Sequence, residues 1–264
     1  MTDVELCLVG GGRMGEALLG GLVAAGTDPD SLAVVEVLAG RRAELVDRFP
    51  GVTVAAEVVP CRAGIVAVKP PDVAAATAQL AARGALRIVS IAAGITLGTL
   101  RAAAGPGPAV VRAMPNTPAL VGTGATAIAT EPADDADAAL DWAEGVLRSV
   151  GEVVRLPETS LDAVTGLSGS GPAYVFLVAE ALVDAGVLVG LSRPVAEQLA
   201  GQTLLGAARL LTGSDASAAD LRAQVTSPGG TTAAGLRELE RAGVRGALLD
   251  AVAAATARSR ELGA

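Results

Sequence analysis

The chain has 264 residues, enough for one large or two ordinary domains, and 51% of them are hydrophobic, so a substantial core can be buried. A net charge of −8, with no Lys/Arg cluster interleaved with aromatics, argues against nucleic acid as a partner. Histidine is absent, which removes the usual general acid–base, the usual zinc ligand and every Ser-His-Asp or Cys-His nucleophile.

In chain order, residues 4–9 supply β-branched and aliphatic bulk for a first strand. Gly10, Gly12 and Gly15 then fall on the spacing G-x-G-x-x-G, with Gly11, Arg13 and Met14 between them, and an Ala/Leu-rich helical run follows. Strand, tight turn and helix in that order form a dinucleotide fingerprint. Gly10 lets the chain turn, Gly12 lets a pyrophosphate approach the backbone, and Gly15 lets the helix close on the strand. Further strands are expected at 32–37, 52–55, 65–68, 86–91, 109–114, 125–129 and 152–155. Helices are expected at 14–25, 41–49, 73–82, 97–103 and 135–149, with Gly26, Gly84 and Gly105 as C-terminal stops. The alternation predicts a doubly wound parallel sheet, a Rossmann domain over residues 1–156. Cys7 lies in the first strand and Cys61 just before the fourth. Neither has a metal or redox spacing, so reduced thiols and no metal site are expected.

Residues 157–264 read as all-helical, with helices at 161–166, 172–189, 194–211, 218–225, 232–242 and 247–262. The second of these is apolar nearly all round, with Glu180 and Asp184 on one face, and calls for burial on most sides. A second subunit or an ordinary core position would each provide it. The longest apolar stretch, 173–191, is interrupted by those two carboxylates, and no charged-then-apolar leader is present. A soluble cytoplasmic protein without a membrane partner is the expectation.

Ligands of a doubly wound sheet lie at the carboxyl ends of its strands. Glu36 follows the second strand and could accept the adenosine ribose hydroxyls, as NADH requires, whereas Arg41 and Arg42 soon after would suit the 2′-phosphate of NADPH. After the fourth strand come Ala67, Val68, Lys69 and Pro70, and Lys69 is the only lysine in the chain. Ala92, Ala93 and Gly94 follow the fifth strand and are small enough to admit a flat ring; Asn116 follows the sixth and offers a donor. In the helical half, Ser168-Gly169-Ser170-Gly171-Pro172 reads as a helix-opening loop. The segment from Ser227 to Thr232, Ser-Pro-Gly-Gly-Thr-Thr, gathers backbone N–H groups and hydroxyls at a helix start suited to a carboxylate.

With these segments in order, the sequence resembles the pyrroline-5-carboxylate reductase family over nearly its whole length. The resemblance is carried by residues 10–15, by Ala67-Val68-Lys69-Pro70 and by Met114-Pro115-Asn116-Thr117-Pro118. Its most specific parts are 161–174, Leu-Asp-Ala-Val-Thr-Gly-Leu-Ser-Gly-Ser-Gly-Pro-Ala-Tyr, and 225–232, Val-Thr-Ser-Pro-Gly-Gly-Thr-Thr. It implies a Rossmann domain followed by a helical dimerisation domain, often with further assembly of dimers. The implied reaction is hydride transfer from NADPH or NADH to 1-pyrroline-5-carboxylate, the last step of proline biosynthesis. It also implies that Thr232 hydrogen-bonds the pyrroline nitrogen and that Ser227, Gly229, Gly230 and Thr231 receive the carboxylate. Asp215 is carried over to the substrate side and Gln224 to the coenzyme side. Two departures concern the adenosine: no Asn occurs around Ala55-Ala56-Glu57, and Glu36 stands where many members have a small polar residue. Both coenzymes are therefore expected to work, with modest preference.

Two rivals differ in sequence. A β-hydroxyacid dehydrogenase would share the architecture but calls for a catalytic lysine in the second domain, and none lies beyond Lys69. A non-catalytic nucleotide sensor would have no need of the intact segment from Ser227 to Thr232.

Overall fold

The computed structural model describes residues 4–132 and 135–263, so the expected domain limits 1 and 264 lie outside the described residues. Eight strands, β1 (Val4–Val9), β2 (Leu32–Val35), β3 (Thr53–Ala55), β4 (Cys61–Val66), β5 (Arg87–Ser90), β6 (Ala109–Met114), β7 (Gly124–Thr130) and β8 (Gly151–Arg155), form one sheet. Their order is β3-β2-β1-β4-β5-β6-β7-β8. The first six are parallel, in register Leu8↔Val34 and Leu8↔Ile65 around the centre. Such strands are covered on both faces, which explains why they read as apolar runs rather than alternating ones. In β1, Leu6 and Leu8 enter one core layer while Cys7 and Val9 enter the other.

Helices α1 (Arg13–Ala24), α2 (Ala39–Arg48), α3 (Val73–Ala82), α4 (Leu97–Ala104) and α5 (Ala136–Leu147) occur where the sequence placed them, within two residues at each end. Gly26, Gly84 and Gly105 end α1, α3 and α4 with positive φ, a conformation that side-chain-bearing residues avoid.

Three sequence expectations need correction. The sheet is not wholly parallel, because β7 runs antiparallel to β6 (Val111↔Thr130) and β8 pairs parallel with β7. The link from Met114 to Gly124 is too short for a crossover. Next, β4 starts at Cys61, not after it. Gly64 obscured that strand, yet it is glycine for a packing reason: a Cβ there would lie 2.5 Å from Leu80 Cδ1. Both thiols are buried, and hydrogen bonding with Cys61, followed by burial, pushes the Cys7 thiol far above its ordinary range.

The chain packs as two compact units, one of residues 4–170 with 254–263 and the other of residues 171–253. Leu161 is fully buried in the core of the first unit, and Ser259 Oγ donates to Asp162 Oδ1 at 2.7 Å, tying the C-terminal segment to it. The expected loop at Ser168–Pro172 is in fact helical. After α6 (Leu161–Val164) the chain makes a π-helical turn, Thr165–Gly169, closed by Ser170 N–H donating to Thr165 O at 2.8 Å. Ser168 Oγ donates back to Val164 O at 3.1 Å and caps nothing.

The second unit contains α7 (Gly171–Leu188), α8 (Arg193–Thr212), α9 (Ala218–Gln224), α10 (Thr231–Arg241) and the first half of α11 (Val244–Gly263). Gly186 lets α7 approach α8 closely, since a Cβ there would be 3.0 Å from Ala196 Cβ. Among the described residues of this unit, only Ala196 and Ala200 are buried. Phe176, Leu177 and Leu182 on α7 are all exposed. By length and composition, residues 158–188 could cross a membrane, and none of the apolar window lies buried within the chain.

Candidate functional site

The carboxyl ends of β1, β2, β4 and β5 assemble the first part of the site. Gly10 has φ +111° and donates its N–H to Val35 O at 2.9 Å; a Cβ on it would lie 2.5 Å from Ala67 O. A Cβ on Gly15 would collide with the Gly10 carbonyl oxygen, and one on Gly11 would press on Leu45 Cδ1 at 2.5 Å. Gly12 differs from all three. It is the N-cap of α1, no side chain caps that helix, and a Cβ there would meet nothing within 4 Å. Open space in front of free helix N–H groups is what a pyrophosphate needs, so the residues present fit a dinucleotide. Arg13 is exposed at the first helical position, and Met14 packs against the core.

Ala67 and Val68 line the turn opposite Gly10, and Ala67 N–H donates to Val9 O at 2.8 Å. Lys69 and Pro70 are exposed just beyond it. Gly94 takes φ +77°, and together with Pro70, Ala93 and Ile95 it borders a cavity of about 400 Å³ that Thr165 and Ser170 also line. Ala92 is buried beneath it, its N–H pointing to Ser90 Oγ at 3.4 Å. This predominantly apolar cavity lies beyond the carboxyl ends of β4 and β5, the side of an open α/β sheet on which ligands bind.

Asn116 follows the end of β6. Its side-chain amide donates to Ser168 O at 3.1 Å and its oxygen accepts Ala125 N–H at 2.9 Å, so it ties the π-helical turn to β7. Sequence reading also missed Arg112 on β6. It is buried and donates to Glu158 Oε1 at 3.0 Å, and the same oxygen accepts Leu97 N–H at 2.7 Å, anchoring the start of α4. No spacing rule joins residues so far apart in the chain.

At the adenosine end, Glu36 follows β2 directly. Its Oε1 accepts Leu38 N–H at 2.9 Å, and its Oε2 lies 3.3 Å from the position a Gly11 Cβ would take. The carboxylate is thus fixed beside the glycine turn. Arg41 uses all three of its nitrogens. Its Nε donates to Gly11 O at 2.9 Å and its terminal nitrogens pair with Glu44 at 2.6 Å and with Glu16. Glu44, and then Glu16, hold its proton more firmly than in a free guanidinium.

In the second unit, Gly229 takes φ +70° and Gly230 N–H donates to Ser227 O at 3.0 Å, closing a tight turn onto α10. A Cβ on Gly230 would meet the Ser227 hydroxyl, so a larger residue there would require Ser227 to turn away. Gly230 is the N-cap of α10 and no side chain caps that helix. The N–H groups of Thr231, Thr232 and Ala233 therefore have no helical partner. Thr231 is exposed and Thr232 is half-buried. Asp215 lies exposed between α8 and α9, and Gln224, the last residue of α9, is exposed as well.

The strand order and the uncapped glycine turn define a Rossmann-type dinucleotide-binding protein. Residues 158–262 match the family described as pyrroline-5-carboxylate reductase dimerisation, and residues 5–94 match the NADP oxidoreductase, coenzyme F420-dependent, family. The chain is 45% identical over 269 residues to the pyrroline-5-carboxylate reductase of Synechocystis sp., covering 99% of each. A solved pyrroline-5-carboxylate reductase from Coxiella burnetii superposes with a TM-score of 0.92 at 33% identity, covering 100% of both chains. That of Plasmodium falciparum, solved with NADP bound, does so at 0.83 and 29% identity, again covering 100% of both. The chain belongs to the pyrroline-5-carboxylate reductase family.

Proposed function

We propose that this protein reduces 1-pyrroline-5-carboxylate to proline with NADH or NADPH, as a homodimer in the cytoplasm. The observation that carries the substrate assignment is the uncapped start of α10 behind the turn of Ser227, Gly229 and Gly230, a seat for a small carboxylate. Residues Gly10 to Gly15, Ala67 to Pro70 and Ala92 to Gly94 hold the dinucleotide, which when bound supplies the hydride. In this reading the N–H groups of Thr231 and Thr232 and the hydroxyl of Ser227 bind the carboxylate. The Thr232 hydroxyl orients the ring nitrogen, and Asp215 and Gln224 contribute polar groups at the margin. A protonated cyclic imine is already activated and becomes a neutral amine, so no strong acid has to be provided, in keeping with a chain that lacks histidine. Holding the imine carbon in line supplies most of the effect. The test is oxidation of the reduced coenzyme on addition of 1-pyrroline-5-carboxylate, with proline as product; no substrate-dependent oxidation would contradict the reading.

The second subunit enters through α7. A helical unit with two buried alanines has no core of its own, and an apolar helix with Phe176, Leu177 and Leu182 exposed requires a partner surface. The dimerisation family matched over 158–262 supports a second copy as that surface, in place of a membrane. Leu182→Arg is expected to yield monomeric or aggregated protein without activity, as read by sedimentation velocity. A wild-type protein that sediments as a stable, active monomer at assay concentration would refute the dimer.

A further inference from the structure

The adenosine end of the nucleotide site carries a charge arrangement that the sequence left ambiguous. Of the arginines on α2, Arg41 and Arg48 are both paired with Glu16 on α1, whose side chain is 13% exposed. Arg41 also pairs with Glu44 and donates to Gly11 O, so each of its three nitrogens already has an acceptor. Arg42 has no carboxylate partner among the described residues, but its Nη1 is turned to the strand end, donating to Glu36 O at 2.9 Å and Val37 O at 2.8 Å. The Glu36 carboxylate is fixed by Leu38 N–H, with the exposed apolar pair Val37 and Leu38 beside it. Glu36 N–H donates to Ala55 O at 3.0 Å, which brings the end of β3, and with it exposed Glu57 two residues on, alongside.

We propose that this chain selects NADH over NADPH. Glu36 receives the adenosine ribose hydroxyls, and Glu16 is a positioning residue that withholds Arg41 from a 2′-phosphate. The inference rests on the reading of the glycine turn as a nicotinamide-dinucleotide site and goes beyond it. A ribose diol donates two hydrogen bonds to a carboxylate, whereas a 2′-phosphate set against the same group meets like charge. The positive charge that would offset it on Arg41 is already paired with Glu44 and with Glu16, which Arg48 shares. Freeing Arg41 would break its pairing with a Glu16 that is mostly shielded from water, where unpaired charge is costly.

The test is calorimetric titration of the full-length protein with NADH, NADPH, 5′-ADP and adenosine 2′,5′-bisphosphate, with no imine present. Wild type is expected to bind NADH about tenfold or more tightly than NADPH, because like charges brought together at an interface cost that much. Glu16→Gln, which loosens the hold on Arg41, is expected to raise NADPH affinity about fivefold while NADH changes less than about twofold. Glu44→Gln at the exposed end of the same guanidinium should act in the same direction, and it keeps the claim testable if Glu16→Gln fails to fold. Glu36→Gln should weaken NADH and move the ratio toward NADPH. Equal or tighter wild-type binding of NADPH would overturn the proposal. A ratio unmoved in both the folded Glu16 or Glu44 variant and the Glu36 variant would do the same. Failure of all four probes to bind would instead remove the dinucleotide site itself, a different result.

Discussion

Thr232→Ala is expected to lower kcat/KM for the imine by roughly ten- to a thousandfold, the range that follows from losing about 2–4 kcal/mol at a reacting atom. The half-buried Thr232 is the second residue of α10, behind an N-cap that supplies no side-chain hydrogen bond, so its hydroxyl and N–H are available to a ligand together. Removing the hydroxyl leaves the helix start intact. The carboxylate seat is retained and coenzyme affinity should be unchanged. Thr231→Ala is the internal control, because Thr231 is exposed and contributes to the seat through its backbone N–H alone. It should cost much less. Steady-state kinetics of both variants, run beside nucleotide titration, reads the difference. Wild-type kcat/KM in Thr232→Ala, or equal loss of nucleotide affinity in both, would place the substrate elsewhere.

Gly15→Ala should abolish measurable nucleotide binding. The added methyl would collide with the Gly10 carbonyl oxygen, and Gly10 cannot yield, because its φ of +111° and its approach to Ala67 O fix the turn. Nor can α1 move away, since Leu18, Leu19 and Leu22 on the same helix are buried in the core. The turn must open, and the N–H groups that would hold the pyrophosphate lose their aim. A rise in the dissociation constant of about a hundredfold or more is expected, equivalent to about 2.7 kcal/mol, with a lowered Tm from the strain. Gly12→Ala, which points into open space in the ligand-free chain, should leave Tm near wild type while still weakening the dinucleotide. Calorimetric titration together with thermal melts separates the two variants, and wild-type affinity in Gly15→Ala would contradict the assigned roles.

Much of this arrangement is legible in the sequence because it is local. The turn from Gly10 to Gly15, the stops at Gly26, Gly84 and Gly105, and the Gly-Gly-Thr-Thr start of α10 each depend on residues within a few positions. What stayed hidden depends on residues far apart. The start of β4 at Cys61 was hidden because Gly64 within it packs against Leu80, sixteen positions on. Ser168-Gly169-Ser170 looked like a capping loop; its π-helical turn is held by Asn116 from the end of β6, and Gly169 faces the Met114 side chain. Arg41 pairs with Glu16 across α2 and α1, and nothing in the spacing of the two residues announces it.

The central claim, that this chain delivers hydride to an imine carbon, is tested most directly with coenzyme deuterated at the reactive nicotinamide carbon. Purified protein is supplied with 1-pyrroline-5-carboxylate and [4,4-²H₂]NADH, and the proline formed is analysed by mass spectrometry and NMR. A single deuterium on the ring carbon that was doubly bonded to nitrogen, in step with coenzyme oxidation and sharply reduced in Thr232→Ala, is the predicted result. Proline without the label, or coenzyme left unoxidised in the presence of the imine, would contradict it.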